Sequence, residues 1–216
     1  MKNQSFLIIF TIIFSFSSFS LVHAQDQKLT KVTVHANVNA PIGDFGKDYD
    51  ISIGFDGMIE HVFFENMPEL ALTASVHLIN FDNKRNADIG RDVNDIQFQT
   101  FGIKAGALYY FLSLEQFEFF AGADMGLYLT KGLRTYYGNT GSGSMGNTGD
   151  QAEARFGFSP VVGGDYLMGS AFSVNVALRY NYLSSVTPKL TQDSQLVNIE
   201  IAPTFFSLYV GLALYF

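Results

Sequence analysis

A serine, a histidine and a carboxylate are the first residues to weigh for chemistry. Ser75 and His77 stand two apart, with Asp56 upstream. A nucleophile needs a base within hydrogen-bond reach and a third group to orient that base. Ser75-Val76-His77 has the residue types but no diagnostic spacing, because positions i and i+2 share one face of any strand. Metal chemistry has less support: past residue 24 the histidines are His35, His61 and His77, none in an H-x-H or H-E-x-x-H spacing. The absence of cysteine removes thiolate ligands, a disulfide framework and a lipid-bearing cysteine together. Gly141-Ser142-Gly143-Ser144-Met145-Gly146 spells G-x-G-x-x-G, but Asn147-Thr148-Gly149-Asp150 after it opens no amphipathic helix to meet a phosphate. That run reads as a surface loop. No cofactor and no metal are expected, and a formal net charge of −7 disfavours nucleic acid, which requires a basic surface.

More telling is a set of charged residues placed at one parity within otherwise apolar runs: Asp56, Glu60, Lys104, Glu118, Asp124, Arg155, Asp165 and Arg179, with His35 and His77 in the same phase. The elements that must hold them alternate with period 2. From Phe172 to Tyr182 the even positions carry Phe172, Val174, Val176, Leu178, Tyr180 and Tyr182, and the odd ones Ser173, Asn175, Ala177, Arg179 and Asn181. A helix of 3.6 residues per turn cannot sort those sets onto opposite faces, but a strand does. The same pattern gives eight strands, near 31–40, 51–64, 70–81, 96–111, 117–132, 154–168, 172–184 and 198–216. Connections alternate between tight ones, at 66–68, 112–116 and 169–171, and long ones, at 41–50, 82–95, 133–153 and 185–197.

Those features predict an all-β fold, a closed eight-stranded antiparallel up-and-down transmembrane β-barrel with short turns on the periplasmic rim and long loops outside. Residues 1–24, with Lys2 before the apolar run Phe6–Phe16 and a small-x-small close at Val22-His23-Ala24, read as a cleaved secretory signal peptide, and 25–216 as the barrel domain. Past residue 24 no apolar stretch approaches the ~20 residues of a helical span. Aromatics gather at strand ends, among them Phe63, Phe64, Tyr109, Phe111, Phe117, Phe119, Tyr166, Phe172, Tyr180 and Tyr182, as interfacial girdles require. A soluble lipocalin-like barrel has the same alternation with its apolar face turned inward. The loop asymmetry, the aromatic ends and the terminal Phe216 favour the membrane version.

The leader, the eight strands and the closing Leu212-Ala213-Leu214-Tyr215-Phe216 resemble the small OmpX-like and OmpA-like outer-membrane barrels over Lys31 to Phe216. The resemblance implies that Val210, Leu212, Leu214 and Phe216 form the signal read by the barrel-assembly machinery. It implies residence in the bacterial outer membrane, with lipid as a partner. Unlike two-domain OmpA-type proteins, the chain carries no periplasmic domain after the barrel, so peptidoglycan binding is not implied.

An eight-stranded barrel is just wide enough for side chains to fill, so the inward charges Asp56, Glu60, His77, Lys104, Glu118, Asp124, Arg155, Asp165 and Arg179 are expected to pair as a lumen network. A hairpin centred on Leu114 would set Lys104 opposite Asp124, and a turn between Asn66 and Met67 would set Asp56 opposite His77. Pro160 and Pro203 cannot donate to a ladder and predict bulges or strand ends, which clouds the parity of Glu200. The leading functional expectation is a non-enzymatic barrel acting in membrane structure and in surface contact, with a surface protein or solute meeting the long loops. The alternative is a narrow pore or small-solute binder, with inward Gly54, Gly106, Gly122 and Gly126 leaving space. A lipid-modifying enzyme using Ser75, His77 and Asp56 ranks third.

Overall fold

The structure, a computed structural model, describes residues 30–64, 66–82, 98–131, 152–185, 189–192, 195–198 and 202–216. Its barrel strands are β1 (Thr30–Pro41), β2 (Ser52–His61), β3 (Leu70–Phe81), β4 (Phe98–Ser113), β5 (Phe117–Lys131), β6 (Glu153–Leu167), β7 (Phe172–Leu183) and β10 (Thr204–Tyr215). They close in the order β1-β10-β7-β6-β5-β4-β3-β2, every neighbour antiparallel. The chain is therefore a closed eight-stranded up-and-down barrel. The first and last strands seal it, with Lys31 opposite Tyr215 and the Phe216 N–H donating to Thr30 O at 2.9 Å.

Alternation assigns the faces. In β10, Phe205, Ser207, Tyr209 and Ala213 are buried inside, whereas Phe206, Leu208, Val210, Leu212 and Leu214 point outward. Leu212 is 63% exposed and Ile53 on β2 69%, so the apolar set covers the outside. A water-soluble barrel would hide such a belt; a bilayer accepts it. The lipocalin-like arrangement is thereby excluded by which face is apolar.

Several boundaries differ from the sequence expectation. The final barrel strand starts at Thr204, not at 198, because 195–198 pairs instead with 189–192 in a separate two-stranded hairpin, β8 (Lys189–Gln192) with β9 (Gln195–Asn198). Pro203 precedes β10 and offers only its carbonyl, to the Leu183 N–H at 3.0 Å, so it marks a strand end. Pro160 lies inside β6 without a bulge: it pairs with Ala123 of β5, and the β6–β7 ladder lapses at 159–160 yet resumes in the same register at Val161–Arg179. The missing N–H costs one rung toward β7 and leaves parity intact. Glu200, the 141–146 glycine run, most of the 82–95 segment and residues 1–24 fall outside the described residues.

The β4–β5 hairpin is offset from the expected register. Strand β4 continues to Ser113, the Leu114 N–H donates to Phe117 O at 2.7 Å, and one residue bulges between Tyr110 and Leu112. Lys104 therefore faces Gly126, and Asp124 faces Gly106. The turn centre moves toward Gln116, and the bulge removes only part of that displacement. The β2–β3 hairpin sets Asp56 opposite His77, as the sequence suggested.

The connection after β1 is not a plain solvated loop. Gly43 takes φ +60°, a left-handed conformation open to glycine, and Phe45–Asp48 then forms one helical turn, α1. Asp44 and Lys47 pair on its exposed side at 2.6 Å, and hydrogen bonding from Lys47 holds the Asp44 carboxyl below the usual carboxylate range. On its other side Phe45 and Tyr49, four apart, turn into the barrel mouth. Their ring centroids lie 4.6 Å apart, and Phe45 meets Phe81 and Phe98 at 5.2 Å each. With Ile79, Tyr128, Leu183 and Phe205 they form an apolar stopper at the long-loop end.

Candidate functional site

The barrel interior divides into layers, each held by inward residues at alternate positions of several strands. Nearest the short-turn rim, Lys31 from β1 reaches Glu60 at 2.7 Å and Asp165 at 2.8 Å. Its ammonium also donates to the Tyr110 hydroxyl at 2.6 Å, and that hydroxyl donates to Glu60 at 2.6 Å. The Tyr110, Phe120 and Tyr215 rings surround the same nitrogen at 5.3, 5.6 and 5.9 Å. Asp165 further accepts from Ser173 at 3.1 Å and from Asn175 at 3.0 Å. Below this layer a cavity of ≈ 310 Å³ opens to the rim, lined by Lys31, Glu60, Glu69, Tyr110, Glu118 and Tyr215.

In the middle layer the Asn175 amide nitrogen is committed to Asp165, so its oxygen faces His35 and accepts from Nε2–H at 2.8 Å. His35 Nδ1 lies 3.3 Å from Asp56, whose second oxygen accepts from Lys104 at 3.1 Å. Arg179 pairs with Asp124, which also accepts from Thr73 at 3.0 Å. The Tyr209 ring is a platform for these cations, 5.0 Å from the Arg179 guanidinium and 5.8 Å from the Lys104 ammonium. Every one of these charged groups is buried. Isolated, each would be strongly disfavoured there; paired and hydrogen-bonded, they fill the lumen.

The upper layer is built mainly of neutral hydrogen-bonding groups. Ser159 donates to Asn181 at 2.9 Å, Asn181 to Ser207 at 2.8 Å, Ser207 to Asn39 at 2.6 Å and Asn39 to Asn37 at 2.7 Å. Arg155 sits at the same end, donating to Thr130 at 2.9 Å and to Glu153 at 3.3 Å. Above it lies the aromatic stopper.

The expected pairs and the observed ones differ. Lys104 meets Asp56 and not Asp124, and Asp124 meets Arg179, because the offset hairpin separates Lys104 from Asp124 along the ladder. Both pairs skip a strand: β4 to β2 over β3, and β7 to β5 over β6. Long side chains bridge the curved inner wall, so ladder opposition did not select the partners. His77 is buried against Tyr128, ring centroids 5.0 Å apart, and neither of its nitrogens finds a hydrogen-bond partner among the described residues. Ser75 faces Lys104 across the ladder, so no serine–histidine hydrogen bond forms and a nucleophile–base pair is not assembled. Glu118 is half-buried at the rim cavity. Lys31, Tyr110 and Asn175 belong to the network although the expected lumen set did not include them; all share the inward parity of their strands, which is the signal that marks them.

The inward glycines do not leave space. A Cβ on Gly106 would collide with Ala123 O and the Asp124 carboxylate, one on Gly122 with Ala107 O, and one on Gly126 with Ile103 O. They mark close backbone approach between β4 and β5. Of the residues expected to form an assembly signal, Val210, Leu212 and Leu214 lie on the outer face and Phe216 sits beside Thr30.

A closed barrel with an apolar exterior and a polar, packed interior defines the class: this is the fold of small outer-membrane β-barrels. Neisserial surface protein A (NspA) is a solved structure similar to it, with TM-score 0.53 at 16% identity over 87% of this chain and 97% of that one. Ail, the attachment invasion locus protein of Yersinia pestis, in complex with the heparin analogue sucrose octasulfate, aligns with TM-score 0.50 at 12% identity over the same shares. At these identities the likeness is one of fold. No family model matches the sequence. No curated protein matches it either.

Proposed function

We propose that the protein is an integral barrel of the bacterial outer membrane, exported by the 1–24 leader and inserted through the Val210, Leu212, Leu214 and Phe216 signal. In this reading its lumen does not conduct, and its work is membrane structure and surface contact through the long connections. The observation that supports the closed lumen is the middle layer: Asp56, Lys104, Asp124, Arg179 and Tyr209 are each at most 2% exposed and bridge the interior, with the Phe45 stopper above. The apolar outer belt supports the membrane placement, since lipid and not water tolerates it. A surface protein or solute is the partner expected at the long connections, and the complex of Ail with the heparin analogue sucrose octasulfate is a precedent for a ligand on this fold. This chain is acidic, at −7, so a sulfated polyanion would meet an unfavourable mean charge.

The tests are cell fractionation, gel mobility and conductance. The protein should sediment with outer membrane and run differently on gels before and after boiling. In planar bilayers it should give no steady conductance of nanosiemens order; such a conductance would defeat the closed-lumen reading and favour the pore.

A further inference from the structure

The outer face of the described barrel strands carries a single charged side chain, Lys131 at the long-loop end of β5. It is not alone as a polar group. Asn80 of β3 pairs in register with Gln99 of β4, and Gln99 with Lys131, so three polar side chains form one row across neighbouring strands. Directly beneath it the next outward row is apolar, Leu78 opposite Phe101 and Phe101 opposite Leu129. A groove of ≈ 460 Å³ runs over this patch, its lining including Phe55, Leu78, Phe101, Leu129, Gln99 and Lys131, and its wall almost entirely apolar below the polar row.

We infer that this face binds a membrane lipid with an anionic phosphate headgroup, one acyl chain lying in the groove and the phosphate meeting Lys131 and the Gln99 amide. The inference rests on the membrane reading above. Three facts carry it. The groove has the chemistry of an acyl chain and faces outward, where hydrocarbon is the solvent. On β3, β4 and β5 its polar end lies where the outward apolar rows give way to Asn80, Gln99 and Lys131, as headgroup level requires. Finally, on a chain of net charge −7, the one outward charge of the described strands is positive and sits at that groove. A lysine at the membrane surface favours anionic over zwitterionic lipid by about fivefold. Gln99 beside it adds a neutral donor to a phosphate oxygen, which selects a phosphate over a bare negative surface.

The full-length mature chain, folded in detergent micelles, is incubated with an equimolar mixture of phosphatidylglycerol and phosphatidylcholine of identical acyl chains. Retained lipid is read by native mass spectrometry. The wild type should retain phosphatidylglycerol about fivefold over phosphatidylcholine. Lys131→Glu should abolish that preference, whereas Lys47→Glu, exposed on α1 and outside the groove, should leave it unchanged. Ala152→Trp, which fills the groove from β6's approach, should lower retention of both lipids together. Equal retention by the wild type, or a preference that survives Lys131→Glu, overturns the site. Unchanged retention by Ala152→Trp overturns the acyl-chain part. A parallel gel-mobility measurement on each variant establishes folding, and insertion of the wild type into vesicles separates the two readings: no insertion defeats the membrane reading itself, while insertion without lipid preference defeats only this one.

Discussion

Replacing Arg179 by methionine isolates one ion pair in the lumen. Methionine keeps an unbranched, polarizable side chain against the Tyr209 ring, 5.0 Å from the guanidinium, and near Met58, so little cavity is created. What is lost is the partner of Asp124, which is 2% exposed and, among the described residues, keeps the Thr73 hydroxyl as its remaining side-chain donor. Breaking one member of a buried pair costs about 3–5 kcal/mol, since an uncompensated charge remains. That is roughly two to three and a half powers of ten in the folding equilibrium. Asp124→Asn on the same background removes the stranded charge while leaving an acceptor for Thr73. The double variant should therefore recover about 2 kcal/mol relative to Arg179→Met alone, a coupling that distant sites do not show. Unfolding by urea in micelles, followed by gel mobility of unheated samples or by tyrosine fluorescence since the chain has no tryptophan, gives both numbers. A loss below about 1 kcal/mol for the single variant, or a double variant less stable than the single, refutes the claim that the pair holds the middle layer.

Phe45→Ala should destabilise the barrel by about 3 kcal/mol, measured as a shift in urea midpoint, because a fully buried ring leaves the stopper. It should not open a steady conductance, since the middle layer lies below. Pro160→Ala should be neutral or stabilising by up to about 1 kcal/mol in the same assay, because alanine restores a donor toward β7 at the rung where the ladder lapses. Deleting Phe216, or replacing it by aspartate, should reduce outer-membrane insertion in cells several-fold while a barrel refolded in vitro loses little stability, as Phe216 lies beyond the last strand residue and adds one terminal pair with Thr30. Normal insertion of the deletion in cells would remove the assembly role assigned to it.

Strand identity and facing were legible in the sequence because both are local: period-2 alternation puts Phe172, Val174 and Val176 on one face and Ser173, Asn175 and Ala177 on the other, whatever lies nearby. Eight such runs with alternating connections left few closed topologies, and the barrel is the one found. The inward charges were legible for the same reason, as polar residues at the wrong phase for an apolar face. Their partners were not. Lys104–Asp56, Arg179–Asp124 and Lys31–Asp165 each join strands that are not neighbours, so closure and curvature decide which side chains meet, and no spacing in the chain encodes that. The β4–β5 register was equally hidden, because a turn shifted toward Gln116 and one bulged residue reset every pair above them. The stopper has no signature in the sequence although Phe45 and Tyr49 are four apart: a single helical turn between two strands has too few residues to show a period, and only the ring of Phe81, Phe98 and Phe205 at the barrel mouth makes burying it favourable.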